Sequence, residues 1–189
     1  MKRDWIVIEG DNGTGKDTLA LSLGFPVISA LEEIRAAERN AKSKIGSERF
    51  HDFLDYNLKC AKMTESFSHS VIIRYWPSTL AGAYADGSIS ESEFNLELQR
   101  LKKWPMPDLL VLLRCQFDKR IQRICRRNQL LTNADNRDNI QESRSLRHWE
   151  AMQKIVECFP HHILLDNTNL TPEETQVMLK SYLKNFIAF

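Results

Sequence analysis

The chain has few of the residues that mark several well-defined classes of protein. Its 189 residues include only four cysteines, which are scattered without a Cys-x-x-Cys pair or a metal-binding spacing (Cys60, Cys115, Cys125 and Cys158). This distribution argues against a disulfide framework and against a zinc site. We therefore expect reduced thiols in a cytoplasmic protein.

Long apolar runs and a strong net charge are also missing. No stretch approaches the roughly 20 apolar residues that span a bilayer, and the apolar stretch that follows Met1 to Asp4 is too short for a signal peptide. The formal net charge is only +1, which gives no general attraction to nucleic acids or membranes. We expect a single domain over residues 1–189 that binds neither a nucleic acid nor a membrane.

Glycine is scarce too, yet three of the seven glycines lie within residues 10–15, directly after the apolar run 5–8. They belong to a segment that matches the phosphate-binding pattern G-x-x-x-x-G-K up to its last position, where Asp17 replaces Ser or Thr and Thr18 follows. Glycines let successive amide N–H groups point at one phosphate, Lys16 adds a positive charge, and the next helix adds its dipole. We predict a nucleotide-binding loop rather than a merely structural turn, formed by Gly10, Asp11, Asn12, Gly13, Thr14, Gly15, Lys16, Asp17 and Thr18.

Five short apolar runs alternate with helical patterns along the chain, at residues 5–9, 25–29, 71–74, 109–114 and 162–166. Strands that alternate with helices in this way form parallel βαβ units with helices on both faces of the sheet. The sequence therefore predicts an α/β protein with three layers, α/β/α, and a five-stranded parallel sheet. Helix starts are predicted at Ser29, which has Glu32 three places later, at Ser90, and at Thr171.

A polar segment between two arginine-rich helical stretches stands apart from this alternation. Residues 128–139 contain few core-forming side chains. A solvated surface loop is the usual outcome for such a segment. Because a phosphate-binding loop is present, we instead predict a lid at about residues 126–142 that brings arginines to a transferring phosphoryl group. The neighbouring arginines are Arg120, Arg123, Arg126 and Arg127 before the segment and Arg144 and Arg147 after it.

Besides the glycine-rich loop, two further segments are distinctive: Arg74 and Tyr75 with Ser78 three places later, and Pro-Asp-Leu at residues 107–109. With these segments, which match D-R-Y-x-x-S and P-D-L, nearly the whole chain resembles the thymidylate kinase family of P-loop nucleoside monophosphate kinases. The resemblance implies transfer of a phosphoryl group from ATP, with Mg²⁺, to a nucleoside monophosphate acceptor similar to dTMP. It also suggests a homodimer packed through long helices.

The resemblance implies roles for single residues as well. Lys16 and Arg74 would act at the phosphoryl groups. Because Gly13 stands where one type of the family has a loop arginine, the catalytic arginine would come from the lid, with Arg123, Arg126, Arg127 and Arg137 as candidates. The acceptor would be bound by Phe53, which would stack on its base, and by Arg35, Asn57, Arg74 and Tyr84. Trp76 is expected in the core rather than as a platform for the base.

Several departures from the family bear on the activity. Ile73 replaces the Asp of D-R-Y, Asn12 replaces a loop carboxylate, and Asp17 replaces the hydroxyl that usually ligates magnesium. One interpretation is an inactive relative that only binds nucleotide. The other, which we favour, is an active kinase in which Asp17 and Thr18 supply the magnesium ligands. A deoxynucleoside kinase or another small-molecule P-loop kinase is the alternative enzyme. Such kinases usually carry an acid directly before the strand-end arginine, however, and this chain has Ile73 at that position.

Overall fold

A computed structural model describes residues 4–128 and 142–184 of the chain. Most of the predicted lid at residues 126–142, including Arg137, lies outside the described residues. The lid therefore stays a prediction.

The centre of the fold is a parallel sheet of four strands. They are β1 (Asp4–Gly10), β2 (His69–Ile73), β3 (Leu109–Arg114) and β4 (His162–Asp166), in the order β2-β1-β3-β4. The apolar run of β1 is buried between β2 and β3, where Ile6 is paired with both Val71 and Leu109. Such continuous apolar runs are typical of strands covered on both faces.

The prediction of a fifth strand at residues 25–29 is wrong. Val27 forms an isolated parallel bridge with Val71, and the N–H of Val71 donates to the carbonyl of Pro26 at 2.9 Å. Pro26 has no N–H to donate to a ladder, and the chain turns into a short 3₁₀ helix at Ile28–Ala30 immediately afterwards. The segment therefore lies beside β2 without extending the sheet.

Eight described helices cover the two faces of the sheet. The core on one face holds α1 and α8 against Ile6 and Val111, and the core on the other holds α3, α4, α5 and α7 against Val7 and Leu110. This arrangement confirms the predicted α/β/α layers. The helices are α1 (Lys16–Ser22), α2 (Glu32–Lys42), α3 (Gly46–Met63), α4 (Trp76–Ala85), α5 (Glu91–Leu101), α6 (Phe117–Asn128), α7 (Glu142–Val156) and α8 (Pro172–Leu183). None of the described helices is long and apolar enough to cross a membrane.

Two of the three predicted helix starts are confirmed. Ser90 and Thr171 each form a capping box at the start of α5 and α8, where their hydroxyls accept from the N–H of Glu93 and Glu174. The cap predicted at Ser29 is wrong, because α2 begins at Glu32 after Leu31. The Ser29 hydroxyl instead accepts from the N–H of Ile73 at 3.2 Å, so a tertiary contact to the end of β2 replaces the local one.

Candidate active site

The glycine-rich segment forms a tight loop between β1 and α1 at the carboxyl edge of the sheet, where parallel sheets bind ligands. Gly13 and Gly15 have left-handed φ angles of 82° and 86°. A Cβ at Gly13 would lie 2.8 Å from the carbonyl oxygen of Arg120, and one at Gly10 would lie 2.9 Å from that of Leu113. Only glycine allows this backbone to pass so close to α6 and β3.

Three carbonyl groups of the loop are bound from behind by the protein itself. The Asp11 carbonyl accepts from the Thr14 hydroxyl at 2.8 Å, and the Asn12 carbonyl accepts from Nε of Arg120 at 2.9 Å. The Thr14 carbonyl accepts from Nδ2 of Asn167 at 2.7 Å. Because these carbonyls are turned away, the loop presents N–H groups and the N-terminus of α1 to an anion.

Lys16 begins α1 and is only 5% exposed. Its Nζ donates to the carbonyl of Asp11 at 3.3 Å. Burial and then the nearby charge of Arg74 lower the pKa of Lys16 to about 7, although Asp17 and Asp11 act in the opposite direction. A bound phosphate would restore the charged form of this side chain.

Arg74 directly follows β2 and faces the same loop. Its backbone is left-handed, with φ of 65°, which is uncommon outside glycine. Its N–H donates to the carbonyl of Ile8 at 3.1 Å, and its guanidinium donates to Oδ1 of Asn12. The structure thus brings Arg74, Asn12 and Lys16 together, as the sequence predicts.

Glu9 lies at the end of β1 and was not predicted as a functional residue. It is fully buried, and its carboxylate accepts from the N–H of Tyr75 at 2.8 Å and from both the N–H and the hydroxyl of Ser78. Burial raises the pKa of Glu9, while these hydrogen bonds and the charge of Arg74 lower it in part. Glu9 holds the N-terminus of α4 next to Arg74, and its sequence signal is an acid at the end of an apolar strand run, directly before the glycine-rich loop.

Asp11 does not point toward the phosphate side of the loop. Its two carboxylate oxygens lie 2.7 Å from Nη1 of Arg120 and 2.9 Å from Nδ1 of His148. Burial raises the pKa of Asp11, but the hydrogen bond from His148 and the charges of His148, Arg120 and Arg74 outweigh it, so the pKa is held well below its usual range. No local spacing in the sequence indicates this contact, because His148 lies far from Asp11 along the chain.

Asp17 and Thr18, the predicted magnesium ligands, are exposed in the first turn of α1. Within residues 4–128 and 142–184, no group of three or more His, Cys, Asp or Glu side chains could hold a metal ion by itself. Magnesium in kinases is usually held by one or two carboxylates together with phosphate oxygens and waters. An exposed carboxylate next to Lys16 fits that kind of shared site.

The predicted acceptor residues have different surroundings. Phe53 is half-buried on α3 with the Arg49 guanidinium 5.6 Å from its ring centre, whereas Arg35 is exposed on α2. Nδ2 of Asn57 donates to the Thr79 hydroxyl at 2.7 Å, which ties α3 to α4.

Tyr84 packs between helices at the end of α4. Its ring centre lies 4.9 Å from that of Phe94 and 5.3 Å from the Arg147 guanidinium of α7. Trp76 is fully buried and stacked on Phe159, so its predicted place in the core is confirmed.

Three of the four candidates for the catalytic lid arginine, Arg123, Arg126 and Arg127, belong to α6. The Arg123 guanidinium donates to the carbonyl of Asn167 at 2.9 Å and to its Oδ1 at 3.3 Å. Because Asn167 also binds Thr14, Arg123 is connected to the back of the loop. Arg126 is exposed, and the side chain of Arg127 lies outside the described residues.

A cavity of about 200 Å³ lies behind the loop, between the end of β3 and the helices α6 and α7. Asp11, Arg120, His148 and Trp149 are among its lining residues. Two buried polar atoms of the lining, Nη2 of Arg120 and Oγ of Ser145, have no hydrogen-bond partner within the described part of the chain. The lining of this partly open cavity is mixed, since apolar side chains such as Leu113 and Met152 contribute to it as well.

Solved structures share this fold over nearly the whole chain. Thymidylate kinase from Candida albicans superposes with a TM-score of 0.72 at 14% sequence identity, covering 97% of this chain and 92% of that one. Deoxyadenosine kinase from M. mycoides, in a structure with the products dCMP and dCDP, gives 0.65 at 19% identity and covers 96% and 99%. The chain therefore has the fold of the thymidylate kinase-like P-loop kinases. No protein-family model matches the sequence, and no curated protein matches it.

Proposed function

We propose that the protein transfers the γ-phosphoryl group of ATP to a (deoxy)nucleoside monophosphate, with a dTMP-like nucleotide as the favoured acceptor. The observation that carries this proposal is the convergence of two cations on the glycine-rich loop. Arg74 lies close enough to Lys16 for its charge to lower the lysine pKa. Holding two like charges together is unfavourable unless an anion joins them, and phosphate groups are the anions for which such a loop is built.

The proposed mechanism is an in-line displacement at the γ-phosphorus. A phosphate oxygen of the acceptor forms the new bond, the bond to the bridging oxygen of ADP breaks, and the products are ADP and a nucleoside diphosphate. Lys16 and Arg74 neutralise charge on the transferring group, and the N–H groups of the loop orient it. Asp17 and Thr18 are the proposed protein ligands of magnesium, which would screen the negative charge of the phosphates.

A monophosphate acceptor agrees with the contacts of the carboxylates around the loop, which are already occupied by other groups of the protein. A hydroxyl acceptor requires a general base, whereas a phosphate oxygen is already ionised at neutral pH. Glu9 is fully buried in contact with α4, and Asp11 is paired with Arg120 and His148. Ile73 occupies the position before Arg74. These three positions supply no free base, which supports the phosphate acceptor.

Deoxynucleoside phosphorylation is the second candidate. It is favoured by the likeness to deoxyadenosine kinase from M. mycoides, which another structure contains with bound dATP, at a TM-score of 0.65 and 16% identity. A third outcome is a protein that binds ATP without turning it over, as the departures at Asn12 and Ile73 allow.

A coupled assay of ADP release against a panel of nucleoside monophosphates and nucleosides distinguishes these functions. The proposal predicts magnesium-dependent turnover with monophosphates, highest with a pyrimidine deoxynucleotide. Turnover with nucleosides alone would establish the second candidate, and ATP binding without any turnover would establish the inactive form.

Asp17→Asn tests the metal assignment in the same assay. It is expected to raise the magnesium concentration needed for half-maximal rate and to lower the rate itself. The matched control is Asp55→Asn, an exposed carboxylate on α3. An unchanged magnesium dependence in Asp17→Asn would remove Asp17 from the proposed metal site.

A further inference from the structure

We propose that Asp11, Arg120 and His148 form an internal charged cluster that positions the phosphate loop for nucleotide binding. The three are positioning residues, since they hold the loop from behind rather than touching the nucleotide. The inference depends on the proposed function only for its nucleotide measurement, because the position of the loop can also be measured without nucleotide.

The cluster joins three elements at one carboxylate. Oδ2 of Asp11 lies 2.7 Å from Nη1 of Arg120 on α6, and Oδ1 lies 2.9 Å from Nδ1 of His148 on α7. Nε of Arg120 also donates to the carbonyl of Asn12 at 2.9 Å. Arg120 therefore binds both the side chain of one loop residue and the backbone of the next, which fixes their orientation in two directions.

Burial makes these contacts consequential. Arg120 is 4% exposed and His148 is 7% exposed. A buried charge such as the Arg120 guanidinium costs several kcal/mol in lost hydration, and only well-formed partners compensate for it. A cavity of about 200 Å³ lies beside the cluster, so packing behind the loop is incomplete there. The hydrogen bonds and the ion pair of the cluster supply contacts at this point.

The orientation of Asp11 also reduces the repulsion between its carboxylate and a phosphate ligand. A free carboxylate in a loop that binds triphosphate would repel the ligand. Arg120 and His148 turn the Asp11 carboxylate away from the phosphate side and compensate its charge.

A second anchor runs through the same helix. Arg123 of α6 binds Asn167, whose amide donates to the carbonyl of Thr14. The backbone of α6 also approaches Gly13 so closely that a Cβ there would lie 2.8 Å from the Arg120 carbonyl oxygen. The loop is thus held by α6 at residues 11 to 14, and His148 extends this support to α7.

The test compares variants that remove the cluster with variants that preserve one of its contacts. Asp11→Leu combined with Arg120→Met replaces the ion pair by apolar side chains of similar volume, a change that often leaves stability unaltered. His148→Ala removes the contact from α7, whereas His148→Asn keeps an N–H donor at nearly the same place. Lys154→Met is the matched control, because Lys154 is an exposed cation near the other end of the same helix.

Amide hydrogen exchange of the nucleotide-free protein reports the loop directly. We expect exchange of the loop amide of Thr14, whose N–H donates to the Asp11 carbonyl at 3.3 Å, to accelerate about tenfold in His148→Ala, which loses one charged hydrogen bond. The acceleration should be larger in the double variant, which loses three contacts. Exchange of the β1 and β3 core amides should stay unchanged, and His148→Asn should restore slow loop exchange. Wild-type loop exchange in the double variant and in His148→Ala would overturn the proposal.

ATP affinity supplies the second measurement. The dissociation constant for ATP should rise about tenfold in the double variant while the KM for the acceptor and the melting temperature stay near wild type. A purely structural role would change stability and both substrates together, and that result would also overturn the proposal. If the wild-type protein does not bind ATP, the proposed function fails, and the exchange comparison still decides whether the cluster positions the loop.

Discussion

The phosphate loop and the proposed acceptor side of the site differ in how much of the protein holds them. Residues 10–16 are contacted from behind by β3, by α6, by α7 and by the segment after β4. On the acceptor side, Asn57 and Tyr84 take part in contacts between helices, and Arg35 is exposed. The difference shows that the backbone geometry of the glycine-rich loop is built into the fold, while the proposed acceptor side offers few side chains that are held in this way.

The largest loss of activity is expected from a substitution in the phosphate loop. Lys16→Met removes a cation from the phosphoryl groups, and we expect turnover to fall about 10²- to 10³-fold, as for loss of one group that stabilises transition-state charge. Initial rates of ADP release at saturating substrates measure it. Lys59→Met, an exposed lysine on α3, is the control. Equal rates in Lys16→Met and wild type would contradict the role of Lys16.

A comparison of Gly13→Ala with Gly24→Ala distinguishes the effect of a strained φ angle from the effect of a steric clash with α6. Both glycines have left-handed φ angles, 82° and 75°, but a Cβ would meet the Arg120 carbonyl at Gly13 and nothing within 4 Å at Gly24. Gly24→Ala should destabilise the fold by about 1–2 kcal/mol without changing ATP affinity. Gly13→Ala should destabilise it more and weaken ATP binding at least tenfold. Urea denaturation and calorimetric titration measure the two quantities, and equal behaviour of the variants would refute the close approach of α6.

A smaller effect is expected on the acceptor side. If Phe53 stacks on the acceptor base, Phe53→Ala loses about 1–3 kcal/mol of stacking, so the KM for the acceptor should rise about tenfold or more. The KM for ATP should not change, and Phe53→Tyr should behave as wild type because it keeps an aromatic face. Steady-state titration of each substrate measures these constants. A parallel rise in both KM values would show that Phe53 supports the fold instead.

The smallest signal is proton uptake on nucleotide binding. With the Lys16 pKa at about 7 in the free protein, most of this lysine is neutral at pH 8, and bound phosphates favour its charged form. Binding of ATP should therefore take up close to one proton at pH 8 and about a tenth of that at pH 6. Calorimetry in buffers of different ionisation enthalpy measures this number, and the same uptake in Lys16→Met would assign the proton elsewhere.

The same shift has a consequence for stability. The folded protein binds the Lys16 proton more weakly than the unfolded chain, in which the pKa is 10.5. Between pH 7 and pH 10.5 the unfolded state thus holds more protons at this site, so this contribution to the free energy of unfolding rises with pH.

The sequence predicted the parts of the site that depend on short-range geometry. The loop could be predicted because the glycines, the lysine and the preceding strand occur within a few residues. Arg74 could be predicted because it follows an apolar strand. Glu9, Arg120 and His148 could not be found in this way, since their partners lie far along the chain. The strand at 25–29 and the cap at Ser29 failed for a related reason, because contacts with β2 replaced the local pattern.

Phosphorus NMR of the reaction of ATP with dTMP tests the central claim most directly. The account predicts that the γ-phosphate signal of ATP declines to an equilibrium level while two new diphosphate species, ADP and dTDP, accumulate in equal amounts, and that Lys16→Met slows this conversion about 10²- to 10³-fold. An unchanged spectrum with dTMP, together with formation of a monophosphate when thymidine is supplied instead, would contradict it.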